Sequence, residues 1–200
     1  MGEIKIFGKW DTDGISVNDV GLRKYINLSP IYLPRSGGRH AKKQFHKSKM
    51  NIVERLLNKL QVPGHRSKKH IITSGRATGK TQLHYKIVKT VFERIEKETK
   101  KNPIDVFVKA VEHAALREEV TQYQVGGIMV RRAVITSPQR RVDIALSNVV
   151  QASYRKSFAK KETMIDTLTS EILGAYANDP NKSEAIKEKD RIEREAEGAR

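Results

Sequence analysis

The stretch that decides the fold reads NPIDVFVKAVEHAALREEVTQYQVGGIMVRRAVITSPQRR and runs from Asn102 to Arg141. In its first third, apolar residues recur at helical spacing, which predicts an α-helix that starts at Pro103 and is capped by Asn102. Past Val120 the apolar period shortens from about 3.6 residues to 2, the spacing of a β-strand. Ser137-Pro138 then suits the start of another helix. The stretch therefore predicts the order helix, strands, helix.

The two strand-like segments, 120–125 and 128–135, are separated by Gly126-Gly127. Two glycines favour a two-residue hairpin turn because both positions can adopt positive φ. We therefore expect a β-hairpin at about 119–135, with the cross-strand pairs Val125 and Ile128, Tyr123 and Val130, and Gln122 and Arg131. A lone hairpin is marginal in water, so this one should be anchored at its base while its tip projects.

Apolar stripes on both sides of this stretch predict the remaining helices. Before it, one helix would open at Ser48 and end at Pro63-Gly64, and a second would be capped by Thr78 or Thr81. After it, the helix that starts at Ser137-Pro138 would bury Phe158. A helix near 162–177 and a solvated helix over 182–199, frayed at its end, would complete the chain.

These elements predict a mainly α fold: a bundle of about six helices with a protruding two-stranded β-hairpin and an extended basic N-terminal arm. Residues 1–47 would form an N-terminal extension that includes the arm, and residues 48–200 the helical domain. Trp10 and the nearby apolar residues Ile4, Ile6 and Phe7 suggest that residues 1–30 dock on some other surface, which the sequence does not identify.

The charge of the chain favours a polyanionic partner. Its formal net charge is +16, and the stretch from Val20 to Phe92 holds seventeen Lys and Arg residues but one acid, Glu54. The most basic segments are rich in Gly, Ser and His and lack the bulky apolar anchors of a membrane-surface helix. A strongly basic chain that can fold but is rich in loops therefore indicates a nucleic-acid-binding protein. The loop-rich structure favours RNA as its ligand.

Other classes of protein are disfavoured. The chain has no cysteine, which excludes disulfides and thiolate zinc sites. No apolar run reaches the roughly 20 residues that span a bilayer, and the start is not a signal peptide. We therefore expect a soluble, cytoplasmic protein without metal or cofactor.

One segment resembles a phosphate-binding P-loop. In Gly75–Thr81 the two glycines are separated by three residues, whereas the P-loop requires four and a buried strand before it. No set of nucleophile, base and acid is evident either. We therefore predict that the protein is not an enzyme. NTP hydrolysis by this loop remains the least favoured alternative.

The candidate RNA-binding cations lie in the basic arm (residues 32–49), in the basic loop at 64–80 and at the start of the helix after the hairpin. They are Arg35, Arg39, Lys42, Lys43, Lys47, Lys49, Arg66, Lys68, Lys69, Arg76, Lys80, Arg140 and Arg141. The two arginines at positions 140 and 141 would occupy the first turn of a helix, where the macrodipole disfavours cations, which suggests an anionic partner.

The hairpin allows two interpretations. Its arginines could simply prevent edge-to-edge aggregation of an exposed ribbon. Alternatively, the hairpin is a basic finger that lies in a groove of RNA, with Tyr123 and Met129 near its tip for contacts with bases or sugars.

Taken together, the segments 102–111, 125–127 and 137–141 resemble the small-subunit ribosomal protein S-seven family. The resemblance covers roughly residues 48–200 and keeps the order of the elements. The arm before residue 48 and the insertion near 64–78 resemble the archaeal and eukaryotic branch of that family.

The resemblance implies a structural constituent of the small ribosomal subunit that binds the 3′ major domain of its rRNA and nucleates assembly of the head. Neighbouring small-subunit proteins, among them the S-eleven family protein, would contact the late helices. The arm, the basic loop, Arg140 and Arg141 would hold rRNA, and the hairpin would lie near the exit-site tRNA and the mRNA path. The residues placed there are Tyr123, Gln124, Gly126, Gly127, Met129, Arg131 and Arg132. The alternative is a general basic protein that coats DNA or RNA.

Overall fold

The computed structural model describes residues 4–66, 69–70 and 77–200. Within these ranges the chain forms six α-helices and two antiparallel pairs of strands, preceded by two short 3-10 helices. In chain order they are the 3-10 helices Arg39–Lys42 and His46–Lys49, α1 (Ile52–Leu60), β1 (His65–Arg66), β2 (Lys69–His70), α2 (Thr81–Thr99), α3 (Pro103–Ala114), β3 (Glu118–Val125), β4 (Ile128–Ile135), α4 (Pro138–Ser157), α5 (Met164–Tyr176) and α6 (Glu184–Glu197). The predicted mainly α bundle with a two-stranded hairpin is confirmed.

The start of α3 was predicted correctly and the start of α1 was not. The Asn102 side chain accepts a hydrogen bond from the Ile104 amide at 3.0 Å and caps α3. In α1, Asn51 caps the helix by accepting from the Val53 amide at 2.9 Å, so the helix begins at Ile52 rather than at Ser48. Two residues of good capping type lie close together here, and the serine belongs instead to a 3-10 helix.

Two smaller predictions are also wrong. Lys80 occupies the N-cap of α2 without a side-chain cap, so neither Thr78 nor Thr81 caps that helix. At the end of α4 the backbone becomes extended at Phe158, and this carries its ring out of the core to an exposed position against Tyr154.

The N-terminal segment belongs to the hydrophobic core. Phe7 and Trp10 are buried, and the ring of Phe92 lies between Trp10 at 5.7 Å and Phe107 at 5.9 Å. The indole nitrogen of Trp10 donates to a Glu96 carboxylate oxygen at 3.1 Å, so the polar end of the ring has a partner. The expected docking of residues 1–30 is thus confirmed over the described part, although Ile4 is exposed.

The last helix is docked rather than fully solvated. Ala185, Ile186 and Ala196 of α6 are buried. The carboxylate of Glu171, which is 0% exposed, accepts from the Ser183 hydroxyl at 2.7 Å and the Ala185 amide at 2.9 Å. This carboxylate holds the first turn of α6 against α5, which is where an anion is favoured by the helix dipole.

The hairpin has the predicted register, with Gly126 and Gly127 at φ values of 56° and 86°. Its base is anchored as expected. The Ala133 amide donates to the Ala199 carbonyl at 3.3 Å, and the Thr136 amide donates to the Arg117 carbonyl at 3.0 Å. The C-terminus therefore holds the base of the ribbon while both glycines lie at its free tip.

Candidate nucleic-acid interface

The first two turns of α4 are the point at which the arm, the hairpin and the N-terminal segment meet. Gln139 accepts a hydrogen bond from the Ser48 hydroxyl of the arm at 3.4 Å. The Arg140 guanidinium donates to both carboxylate oxygens of Glu119 on β3, at 2.7 to 3.0 Å. This bidentate pair raises the pKa of Arg140 and fixes the hairpin relative to α4.

Arg141 points into the body of the protein. Its side chain is 12% exposed and donates to Asp19 at 2.6 Å and to the Leu116 carbonyl at 3.0 Å. Burial would raise the pKa of Asp19, but the hydrogen bond from Arg141 lowers it below the ordinary value. Since both arginines of the first turn have acidic partners within the chain, they do not require an external anion, and their contact with RNA stays a prediction.

A third charged group joins the arm to α1 and α4. Asp143 on α4 contacts the Lys47 ammonium at 2.8 Å and the Arg55 guanidinium at 3.1 Å. Burial would raise the pKa of Asp143, but the hydrogen bond from Lys47 and the charges of both cations lower it. Arg55 also donates to the Tyr25 carbonyl at 2.9 Å. The predicted site residue Lys47 is therefore tied to the body of the protein.

The beginning of the arm is tied down as well. Glu54, the one acid between Val20 and Phe92, is buried on α1 and accepts from the Ser36 amide at 2.6 Å and the Ser36 hydroxyl at 2.7 Å. Because Glu54 is buried and bonded to Ser36, its negative charge does not offset the positive charge of the surface. The arm is held at Ser36 and at Lys47, and the predicted site cations Arg39, Lys42 and Lys43 lie between these two points.

Eight of the predicted site cations are exposed and have no ion pair with any other residue that the structure describes. Five lie in the arm, one precedes α2 and two lie on the hairpin. They are Arg35, Arg39, Lys42, Lys43, Lys49, Lys80, Arg131 and Arg132. Charges that are unpaired in the protein are the ones free to neutralise phosphates.

The hairpin tip combines these arginines with exposed apolar surface. Met129 is 59% exposed, and Tyr123, Gln124 and Ile128 are exposed beside it. Arg131 and Arg132 are neighbours on β4, so they lie on opposite faces of the ribbon. A ribbon that is charged on both faces and apolar at its tip suits insertion between two polyanionic surfaces.

The predicted basic loop is described in part. Lys68 and Arg76 lie outside the described residues, as does Gly75 of the P-loop-like segment. The backbone of Arg66 pairs with that of Lys69 between β1 and β2.

The described ranges show neither a membrane-spanning helix nor a cluster of metal ligands. No helix in them is both long and apolar enough to cross a membrane. They also contain no group of three or more His, Cys, Asp or Glu residues placed to hold a metal ion.

Comparison with known proteins identifies the family. The sequence pattern of the family described as Ribosomal protein S7p/S5e matches residues 22–200. A protein of Nanoarchaeum equitans named small ribosomal subunit protein uS7 is 49% identical over 198 residues, which cover 99% of this chain and 100% of that protein. A protein of the same name from Archaeoglobus fulgidus is 45% identical over 99% of this chain and 96% of its own length. Another from Methanothrix thermoacetophila is 43% identical over 98% of this chain and 100% of its own length.

The fold and the exposed cations define a basic structural protein built on a helical bundle. The chain belongs to the ribosomal protein S7p/S5e family. This confirms the predicted family and its archaeal affinity. It also confirms that the protein is a non-enzymatic component of the cytoplasmic small ribosomal subunit, which removes NTP hydrolysis as an alternative.

Proposed function

We propose that the protein binds the 3′ major domain of small-subunit rRNA and nucleates assembly of the head around it. The observation that carries this proposal is the set of eight predicted site cations that are exposed and have no ion pair with another described residue, in a chain of formal net charge +16. Family membership supports the identity of the polyanion, since the relatives are named as small-subunit ribosomal proteins.

The mechanism is electrostatic clamping by a tethered segment. The arm is fixed at Ser36 to α1 and at Lys47 to α4, so Arg39, Lys42 and Lys43 between these two points are held close to the body of the protein. Holding the arm in place before binding reduces the conformational entropy that is lost when RNA is bound. Specificity would come from the shape of the folded RNA, because the chain has few aromatic residues to stack on bases.

The hairpin has a separate role in this proposal. Its base is fixed by the Arg140–Glu119 pair and by the C-terminus, and its tip extends away from the body. We infer that the tip lies near the exit-site tRNA and the mRNA path. The late helices, of which α6 carries a mixed-charge outer surface, would contact neighbouring proteins, including the S-eleven family protein.

The test is a titration of affinity for an rRNA fragment against salt concentration. Neutralisation of about eight phosphates by the cations of the arm and of the basic loop predicts a log–log slope of about −6, with the single-strand coefficient of about −0.7 per phosphate. The double variant Lys42→Gln/Lys43→Gln should reduce that slope by about 1.4. Its matched control is Lys160→Gln/Lys161→Gln, another pair of adjacent exposed lysines, which should leave the slope unchanged.

Two results would count against the proposal. A slope near zero for the unmodified protein would remove the electrostatic mechanism. Equal binding to bulk duplex DNA in competition would favour a general nucleic-acid-coating protein instead.

A further inference from the structure

A cavity of about 400 Å³ lies between the arm, α1 and α4, next to the Asp143 cluster. It is far larger than the roughly 30 Å³ that one water occupies in the liquid. Its charged lining consists of Lys47, Arg55, Lys59 and Asp143, and His40 of the arm also contributes to it. None of these residues except Lys47 was predicted as a site residue from the sequence.

The cations of this cavity are not compensated. Three positively charged side chains face one carboxylate, and Lys47 and Arg55 both contact Asp143 while Lys59 has no ion pair with a described residue. Lys59 is half-buried, and burial together with the nearby charges of Lys47 and Arg55 lowers its pKa despite the opposing effect of Asp143. In the free protein, Lys59 therefore lies where the neighbouring charges of the protein disfavour a cation.

Two buried nitrogens beside the cavity have no hydrogen-bond partner among the described residues. They are Arg55 Nε and His40 Nδ1. The Arg55 Nε–H group is a donor, and burying it without a partner destabilises the protein, whereas His40 Nδ1 donates only when that nitrogen carries the proton. Both belong to residues that line the cavity.

We propose that this cavity holds one phosphodiester group of the bound RNA backbone, with Lys59 as the principal cation and Lys47, Arg55 and His40 around it. The inference rests on the proposed function, because the arm that supplies Lys47 and His40 also carries the exposed cations. A phosphate would add the negative charge that Asp143 alone does not provide. It would also convert the repulsion at Lys59 into attraction.

The first experiment compares Lys59→Gln with the matched control Lys160→Gln, an exposed lysine after α4. Loss of one charged hydrogen bond predicts about a tenfold weaker affinity for the rRNA fragment. The salt slope should also become less steep by about 0.7, the contribution of one phosphate. The control should change affinity by less than about twofold. Wild-type affinity and slope in Lys59→Gln would overturn the inference.

Two further readouts separate this inference from misfolding and from the proposed function. Lys59→Gln should unfold at the same or a higher temperature than the unmodified protein, because it removes a repelled charge. A lower unfolding temperature together with weaker binding would mean that the loss of rRNA affinity comes from a damaged structure, and it would count against the inference. In the unmodified protein, the side-chain NMR signal of Lys59 should shift and saturate with inorganic phosphate but not with chloride at equal ionic strength. If the protein failed to bind rRNA, the proposed function would fall, and this phosphate titration would still decide whether the cavity binds the group.

Discussion

Replacing Asp143 with asparagine tests the connection between the arm and the body. The side chain keeps its shape and one acceptor oxygen but loses its charge. Arg55, whose side chain is 1% exposed, would then be a buried cation without a charged partner, while Lys47 would lose its tie to α4. We therefore expect Asp143→Asn both to destabilise the fold and to loosen the arm.

The magnitude follows from the burial of the two partners. Removing one partner of a fully buried ion pair costs about 3–5 kcal/mol, whereas an exposed pair contributes at most about 1 kcal/mol. Asp143 is 24% exposed and Arg55 keeps its hydrogen bond to the Tyr25 carbonyl, which places the cost between these limits. We expect a loss of about 2–3 kcal/mol, or a Tm lower by about 5–10 °C for a chain of this length.

The dependence of this loss on pH identifies its origin. The folded pKa of Asp143 is held below its ordinary value of 3.8, so the carboxylate stabilises the fold above about pH 4. This contribution is lost as the pH falls through the folded pKa. Urea unfolding at pH 7, 5 and 3.5 should therefore show a difference between the unmodified protein and Asp143→Asn that is constant at the two higher values and smaller at the lowest.

The matched control is Glu93→Gln, which removes one negative charge from the exposed Lys9–Glu93 pair. It should cost at most about 1 kcal/mol. Equal and small losses of stability in Asp143→Asn and Glu93→Gln, or a loss in Asp143→Asn that did not change with pH, would show that Asp143 does not stabilise the fold through its charge.

Two other perturbations test the core and the hairpin. Phe107→Ala removes a fully buried ring that packs on Phe92 and should cost about 3–5 kcal/mol by urea unfolding; a loss below about 1 kcal/mol would contradict the described packing. Deleting residues 124–129 should leave rRNA affinity within about threefold while it reduces tRNA retention on reconstituted subunits, because the exposed tip is separate from the arm. A large loss of rRNA affinity would contradict that division.

The elements with strong local signals were predictable from the sequence. The change of apolar period around Gly126-Gly127 determined the hairpin and its register, and Asn102-Pro103 determined the start of α3. Where two signals of similar strength lie close together, as Ser48 and Asn51 do, sequence reasoning chose the wrong one, because tertiary contacts decide between them.

The partners of the charged residues were not predictable, since they are distant in the sequence. Arg141 and Asp19 are separated by more than a hundred residues, and Arg55 and Asp143 by more than eighty. The sequence therefore indicated which residues are cationic but not which cations are already paired. Lys59 shows the opposite case, since its helical position gave no sign that it lines a charged cavity.

Chemical protection of lysines shows whether the exposed cations of the arm contact rRNA. Acetylation rates would be measured by mass spectrometry for the free protein and for its complex with the 3′ major domain. We expect strong protection of Lys42, Lys43 and Lys49 and unchanged rates at Lys160 and Lys161. Equal rates at the arm lysines in the free and bound protein would contradict this expectation.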